Sequence, residues 1–308
     1  MSRSVSAFAG AVALCVASAG MAAAETRTSI GINDKNVFPE NLSHTSDGTI
    51  FIGGQVSAAI YKVVPGGTVA ETWLAKGAHG MFDIFGILVE EKTNTLWVCS
   101  TDRRTKTRDE TALVALDLKT GDLKGKYPFP GGGTCNDMAV ARNGAVYATD
   151  TLHGRVYRLA KGGTALTEVV RHPMLIGADG IIFTPDGKLY TNTYGTALLF
   201  RINLNRAGTK GALTQITPDV KLFQPDGMRL GPDGTLYMTQ GSGSLDVVTF
   251  DGDLATITKV KDGFQVPAGV TIMGKTAWVV ETKFNYQRDP ALKGTDPGTF
   301  YIHAVALP

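Results

Sequence analysis

No excess of charge of either sign marks this chain. Thirty Lys and Arg stand against twenty-eight Asp and Glu in 308 residues, a formal net charge of +2. A near-neutral chain lacks the electrostatic footprint of a nucleic-acid or anionic-membrane binder, and there is no basic cluster to hold an acidic quinone. Beyond the N-terminal segment, no apolar run approaches the about 20 residues of a bilayer-spanning helix. No stretch carries a sustained helical period. Cysteine is limited to Cys15, Cys99 and Cys135. Glycine, by contrast, is abundant at 37 residues, as expected of many short strands joined by turns.

The N-terminal segment reads as an export signal. Arg3 is the only charged residue before Glu25, Ala7 to Ala17 is apolar but short, and Ala22-Ala23-Ala24 offers small residues for cleavage. Residues 1–24 are expected to be a signal peptide, leaving a domain of residues 25–308 in the periplasm or outside the cell. Leu14 ahead of Cys15 is too bulky for lipoprotein processing. Cleavage removes Arg3 and no acid, so the net charge falls from +2 to +1. Cys99 and Cys135 then remain in an oxidising compartment where they could pair. The sequence leaves open a bridge or two small buried thiols, because it does not give the separation of their Cα atoms.

Internal repetition overrides the two-domain prior that the length alone sets. Six segments share a turn followed by an alternating strand with an aromatic at one slot. These aromatics are Phe51, Trp97, Tyr147, Tyr190, Tyr237 and Trp278, 41 to 50 residues apart. Four of the preceding turns are Asp47-Gly48, Asn143-Gly144, Asp186-Gly187 and Asp233-Gly234, the pair favoured by a type I′ hairpin, where both central residues take positive φ. Thr93-Asn94 and Gly274-Lys275 are weaker versions. A third strand follows each aromatic strand, and a fourth, weaker one fits before the next repeat, as in Thr68 to Leu74. Four antiparallel strands in about 45 residues, repeated radially, predict an all-β, six-bladed β-propeller of four-stranded blades. The last repeat has only three strands, so Thr26 to Ile32 is expected to supply its outer strand and close the ring.

Seven residues before each Asx-Gly turn stands an oxygen-bearing side chain: Glu40, Asn136, Asp179 and Asp226. Phe85 and Ala268 hold that slot in repeats two and six. Innermost strands line a propeller's axis, so equivalent positions converge. Three carboxylates and a carboxamide crowded there would repel each other and lose hydration, a conflict that a divalent cation resolves. Oxygen-only ligation without His or Cys suits calcium or magnesium, and ligands from several flexible loops favour calcium. Strand direction places two extended connections, Thr101 to Thr111 and Lys283 to Thr299, on the same face as candidate walls. It also places His79 near the channel as a candidate proton carrier.

These segments carry a family resemblance. Phe38-Pro39-Glu40-Asn41-Leu42, Cys135-Asn136-Asp137-Met138, Gly177-Ala178-Asp179-Gly180-Ile181 and Gln224-Pro225-Asp226-Gly227-Met228 resemble the senescence marker protein/gluconolactonase/luciferin-regenerating enzyme family. The likeness runs over roughly Val37 to Leu307. That family is a calcium- or zinc-dependent group of six-bladed lactone hydrolases. The resemblance implies metal ligation by Glu40, Asp179 and Asp226, with Asn136 at the metal or on the substrate. The family usually has Asn where this chain has Asp179, so three ionised ligands around a 2+ ion would leave the centre formally −1. The more distantly similar paraoxonases use a His pair; His79 has no convincing partner, so that dyad is not carried over.

The expected activity is metal-assisted hydrolysis of a small lactone or ester, with calcium ahead of zinc and magnesium. Asp226, bound through one oxygen, is the expected general base, and His79 and Asp137 are the reserves. Asn136 and Asp137 are the expected substrate contacts. Two other classes remain open. One is a non-enzymatic exported propeller that binds a sugar or peptide, its metal only an axial staple. The other is a strictosidine-synthase-like enzyme using Glu281, whose chemistry does not call for the oxygen quartet.

Overall fold

A computed structural model describes residue 1 and residues 28–308. The predicted signal peptide beyond Met1, and the predicted domain's first residues 25–27, lie outside the described residues. Strand β1 (Ser29–Ile32) precedes a meander of β2 (Pro39–His44), β3 (Ile50–Gly54), β4 (Ile60–Val63) and β5 (Val69–Leu74), paired antiparallel in chain order. The same meander recurs in β6 (Asp83–Glu90), β7 (Thr95–Thr101), β8 (Ala112–Asp117) and β9 (Leu123–Pro128). It recurs in β10 (Cys135–Val140), β11 (Val146–Asp150), β12 (Arg155–Leu159) and β13 (Leu166–Arg171). Next come β14 (Ala178–Phe183), β15 (Leu189–Thr193), β16 (Leu198–Leu204) and β17 (Gly211–Pro218). The fifth run is β18 (Pro225–Leu230), β19 (Leu236–Gln240), β20 (Ser244–Asp251) and β21 (Leu254–Lys261). The last holds β22 (Pro267–Met273), β23 (Thr276–Glu281) and β24 (Tyr301–Ala306), and β1 pairs antiparallel with β24 as its fourth strand. Among the described residues, one four-residue α-helix, α1 (Asn285–Arg288), and three single-turn 3-10 helices interrupt the β structure.

The runs do not all stay separate, as independent four-stranded blades would. Short parallel ladders join β1 to β5 through Gly31↔Val69 and Ile32↔Ala70, and β17 to β21 through Thr217↔Leu254 and Pro218↔Ala255. Two eight-stranded and two four-stranded sheets result. An outer strand carries a row of unpaired N–H and C=O groups, and where two such edges approach they pair.

The Asx-Gly corners also differ in detail from the type I′ expectation. Gly48, Gly144, Gly187 and Gly234 have φ of 91°, 80°, 84° and 85°, but the Asx residues before them do not take positive φ. Instead each Asx side chain accepts from the N–H two residues on, as Thr49 N donates to Asp47 Oδ1 at 2.9 Å and Thr235 N to Asp233 Oδ1 at 3.0 Å. This is the Asx-turn of a three-residue hairpin loop, with glycine at its left-handed position.

The six repeat aromatics are core: Phe51, Trp97, Tyr147, Tyr190, Tyr237 and Trp278 are all buried. A buried aromatic or branched side chain contributes roughly 1.5–3 kcal/mol, so the repeated slot packs the runs against one another. The first strands β2, β6, β10, β14, β18 and β22 each adjoin the next, and β22 adjoins β2. Glycine makes this approach possible. A Cβ on Gly86 would sit 2.5 Å from the Asn136 carbonyl oxygen, and one on Gly180 would sit 2.4 Å from that of Asp226.

Cys99 on β7 and Cys135 on β10 form a disulfide between the second and third runs, with Cα atoms 5.0 Å apart. Both are fully buried. The bridge closes a loop with a sequence separation of 36, so its removal is expected to cost about 2–4 kcal/mol. A Cys99→Ser/Cys135→Ser variant should therefore lower the urea midpoint, with a steeper slope as the uncrosslinked unfolded chain exposes more surface. An unchanged midpoint would refute a stabilising role.

Candidate metal centre

In every run the pairing of first and second strands slips at the same place. The irregularities fall between Pro39 and Asn41, Ile84 and Ile87, Cys135 and Met138, Ala178 and Ile181, Pro225 and Met228, and Pro267 and Val270. A bulge inserts an unpaired residue and re-aims its side chain. The residues inside these bulges include Glu40, Phe85, Asn136, Asp179, Asp226 and Ala268, the slot found by counting back from the turns.

Glu40, Asp179 and Asp226 come together: one carboxylate oxygen of each lies within 4.8 Å of the others, and all three side chains are buried. Asn136 Nδ2 donates to Asp179 Oδ2 at 3.1 Å, so the fourth residue of the quartet joins them. Removal from water pushes all three carboxyls well above the usual carboxylate range. Glu40 is raised further by Asp179 and Asp137, Asp179 by Asp226 and Asp137, and Asp226 by Glu40. Arg229 partly offsets the rise at Glu40.

The donor set fits a hard cation. Glu40 Oε2 and Asn136 Oδ1 are buried with no hydrogen-bond partner, an arrangement that costs free energy unless something ligates them. Three carboxylates and one amide oxygen are ligands of the calcium and magnesium type.

The raised carboxyls set a pH dependence. A carboxyl whose folded pKa exceeds its unfolded value holds a proton that the unfolded chain would release. Its stabilising effect is present at low pH and is lost as pH rises from about 4 through the raised folded values. In chelator, the melting temperature is expected to fall across that window, and added calcium should reverse the fall. A melting temperature in chelator that climbs over the same range would contradict the crowding described above.

Next to the quartet, at the residue after Asn136, lies a pair that sequence reasoning missed. Arg229 donates from both terminal nitrogens to the Asp137 carboxylate, each at 2.8 Å, and both residues are buried. Arg229 also donates to Met228 O at 2.8 Å. Asp137, an expected substrate contact and reserve base, is thus engaged by Arg229 through both its oxygens. A cavity of about 270 Å³ is lined by Arg229 and by Leu88, Met138, Ile182 and Leu230. The signal available in the sequence was a lone charge three residues past Asp226, where other runs have Ser43, Leu88, Ala139, Ile182 and Thr271.

His79, the candidate proton carrier, is not among the side chains that meet at the carboxylate cluster. It is exposed on the connection from β5 to β6, and its Nε2 donates to Gly121 O at 2.8 Å in the turn from β8 to β9. Left-handed φ at Gly77, His79 and Gly80 shapes this corner. Glu281 is likewise engaged elsewhere: its carboxylate accepts from Gln265 N at 2.9 Å and lies 3.1 Å from His303 Nε2. Burial pushes Glu281 up, but these partners outweigh it and hold the group below its ordinary value.

Of the two extended connections, the first is braced by Arg104. Its guanidinium hydrogen bonds Asp102 at 2.8 Å and lies 4.0 Å over the Phe82 ring. The same connection sets the Arg108 guanidinium on the Thr134 hydroxyl, two residues from Asn136.

An all-β, propeller-like chain whose first strands gather buried carboxylates at one end defines the class of molecule. Residues 56–278 match the SMP-30/Gluconolactonase/LRE-like region, and the chain belongs to that family. Among solved structures it is similar to a gluconolactonase from Xanthomonas campestris, at 20% identity over 89% of this chain and 88% of that one, with a TM-score of 0.64. It is similar to a calcium-binding protein, regucalcin, from Agrobacterium tumefaciens, at 16% identity over 92% and 95% of the two chains, also with a TM-score of 0.64. A virginiamycin B lyase from Staphylococcus aureus aligns at 15% identity over 90% and 83%, with a TM-score of 0.62. At such identities the likeness is one of fold. No curated protein matches the sequence.

Proposed function

We propose that this chain is an exported, metal-dependent hydrolase of a small lactone, gluconolactonase-like, built as a six-bladed propeller over residues 25–308. Six meanders with adjoining first strands, the last completed by β1, support that architecture. The Cys99–Cys135 bridge supports export through a signal peptide at residues 1–24, since disulfides persist in oxidising compartments. Family membership supports the lactonase class.

One observation carries the reading of the site: Glu40, Asp179 and Asp226 converge beside two orphaned buried oxygens. A divalent cation, calcium ahead of magnesium or zinc, would be held by these three and Asn136, and would supply stabilisation for charge growing on a carbonyl oxygen. Asn136 is assigned to the cation through Oδ1, because its Nδ2 already serves Asp179. Asp226 is assigned as the group that takes a proton from the attacking water, holding the cation through one carboxylate oxygen so that the other is left to act as the base.

Metal analysis of the purified full chain, followed by a lactone and aryl-ester screen with and without chelator, tests this. Stoichiometric calcium and chelator-sensitive turnover are the expected result. Calcium that raises the melting temperature without turnover on any ester or lactone would leave a binding propeller instead.

A further inference from the structure

We propose that Arg288 and Tyr194 form an anion clamp at the rim of the carboxylate centre, and that the substrate carries a carboxylate besides its lactone ring. This rests on the lactonase reading and narrows its substrate class. Arg288 ends α1, inside the extended connection between β23 and β24. That connection is pinned in place: Lys283 Nζ donates to Pro297 O at 2.8 Å and to Thr299 O at 2.9 Å. Buried Phe284 stacks at 6.2 Å on Phe38, two residues before Glu40. The helix is thus fixed beside the strand that delivers a proposed ligand.

The Arg288 guanidinium lies 5.3 Å from the Tyr194 ring centroid and 5.1 Å from that of Phe284, and its NH1 donates to Tyr194 Oη at 2.8 Å. No Asp or Glu pairs with it among the described residues. Tyr194 in turn crosses the β19–β20 turn next to Gln224, two residues before Asp226. A Cβ on Gly241 would come within 3.0 Å of both Tyr194 Oη and Gln224 Oε1. Through Gln224 and Phe284 the pair lies beside the strands that deliver Asp226 and Glu40.

With its oxygen accepting from Arg288, the phenol keeps its O–H as a donor, and the guanidinium keeps four of its five N–H groups. Neighbouring donors of this kind match a carboxylate, which planar guanidinium binds bidentately. Net charge sets the cost that the clamp has to offset: three ionised ligands around a 2+ ion leave −1, so an anionic substrate needs a cation at the rim, and Arg288 supplies one.

The test compares saccharic acid 1,4-lactone, which keeps a free carboxylate, with neutral glucono-1,5-lactone on the calcium-loaded full chain. Binding is read by calorimetry and hydrolysis by KM. Arg288→Ala is expected to shift the ratio of the two affinities by about tenfold against the anionic lactone, the scale of a charge-assisted hydrogen bond. Arg288→Lys should recover only part of the shift, and Tyr194→Phe should lose part. An unchanged ratio in Arg288→Ala, or equal wild-type affinity for both lactones, overturns the clamp. If the wild type hydrolyses neither lactone yet binds the anionic one through Arg288, the hydrolase reading fails and the clamp stands; binding of neither overturns both.

Discussion

Asp226→Asn is expected to retain calcium but to lower kcat on glucono-1,5-lactone by about 10²–10⁴-fold, the usual share of a positioned general base. The amide keeps a carbonyl oxygen for the cation and nearly the same volume, so the buried quartet persists. What it loses is the capacity to take a proton from water. A base acts in the transition state, so kcat and kcat/KM should fall together while KM changes little. Asp226→Ala should do more. It removes a ligand as well, leaves Glu40 Oε2 and Asn136 Oδ1 with one donor fewer around any ion, and should reduce bound calcium along with activity. The two variants separate the roles. Full activity in Asp226→Asn with calcium intact would remove Asp226 as the base and leave the metal assignment standing.

Much of this centre was legible because it obeys a count. A fixed seven residues separates each Asx-Gly corner from Glu40, Asn136, Asp179 or Asp226, and repetition converts that count into a shared position in space. The bulges that aim those side chains left no mark of their own beyond Gly86, Gly180, Gly227 and Gly269, small residues one step past the slot. What did not repeat was not legible. Arg229 and Asp137 are 92 residues apart and meet because two first strands lie across the same axis. His79 was placed by strand direction alone, and its ring turned instead to a carbonyl in the neighbouring run. The corner dipeptides gave the right turn position and the wrong turn type. Asp47 and its equivalents bend the chain with their side chains rather than with positive φ, which a dipeptide does not distinguish. The joining of sheets through β1 with β5 and β17 with β21 depends on how closely outer strands approach, a distance absent from any repeat.

Breaking the Arg229–Asp137 pair is expected to be the most damaging change to stability. Buried partners of this kind cost about 3–5 kcal/mol when one is deleted, because the other charge is left without compensation. For a domain of this size that corresponds to a fall in melting temperature of roughly 6–20 °C. Asp137→Ala would strand a guanidinium between the first strands. Arg229→Met would strand Asp137 close to Glu40 and Asp179, whose carboxyls already feel its charge. The double variant Asp137→Leu/Arg229→Met should recover much of the loss, since apolar side chains of similar volume often replace a buried ion pair without penalty. The same variants should move calcium affinity in opposite directions. Arg229→Met leaves the centre more negative and should tighten binding, whereas Asp137→Ala leaves an unbalanced cation beside it and should weaken binding. Melting curves and calcium titrations on the two single variants read both effects. Wild-type stability in either variant would show that the pair does not hold the first strands together, and parallel shifts in calcium affinity would show that its charges are too well screened to reach the quartet.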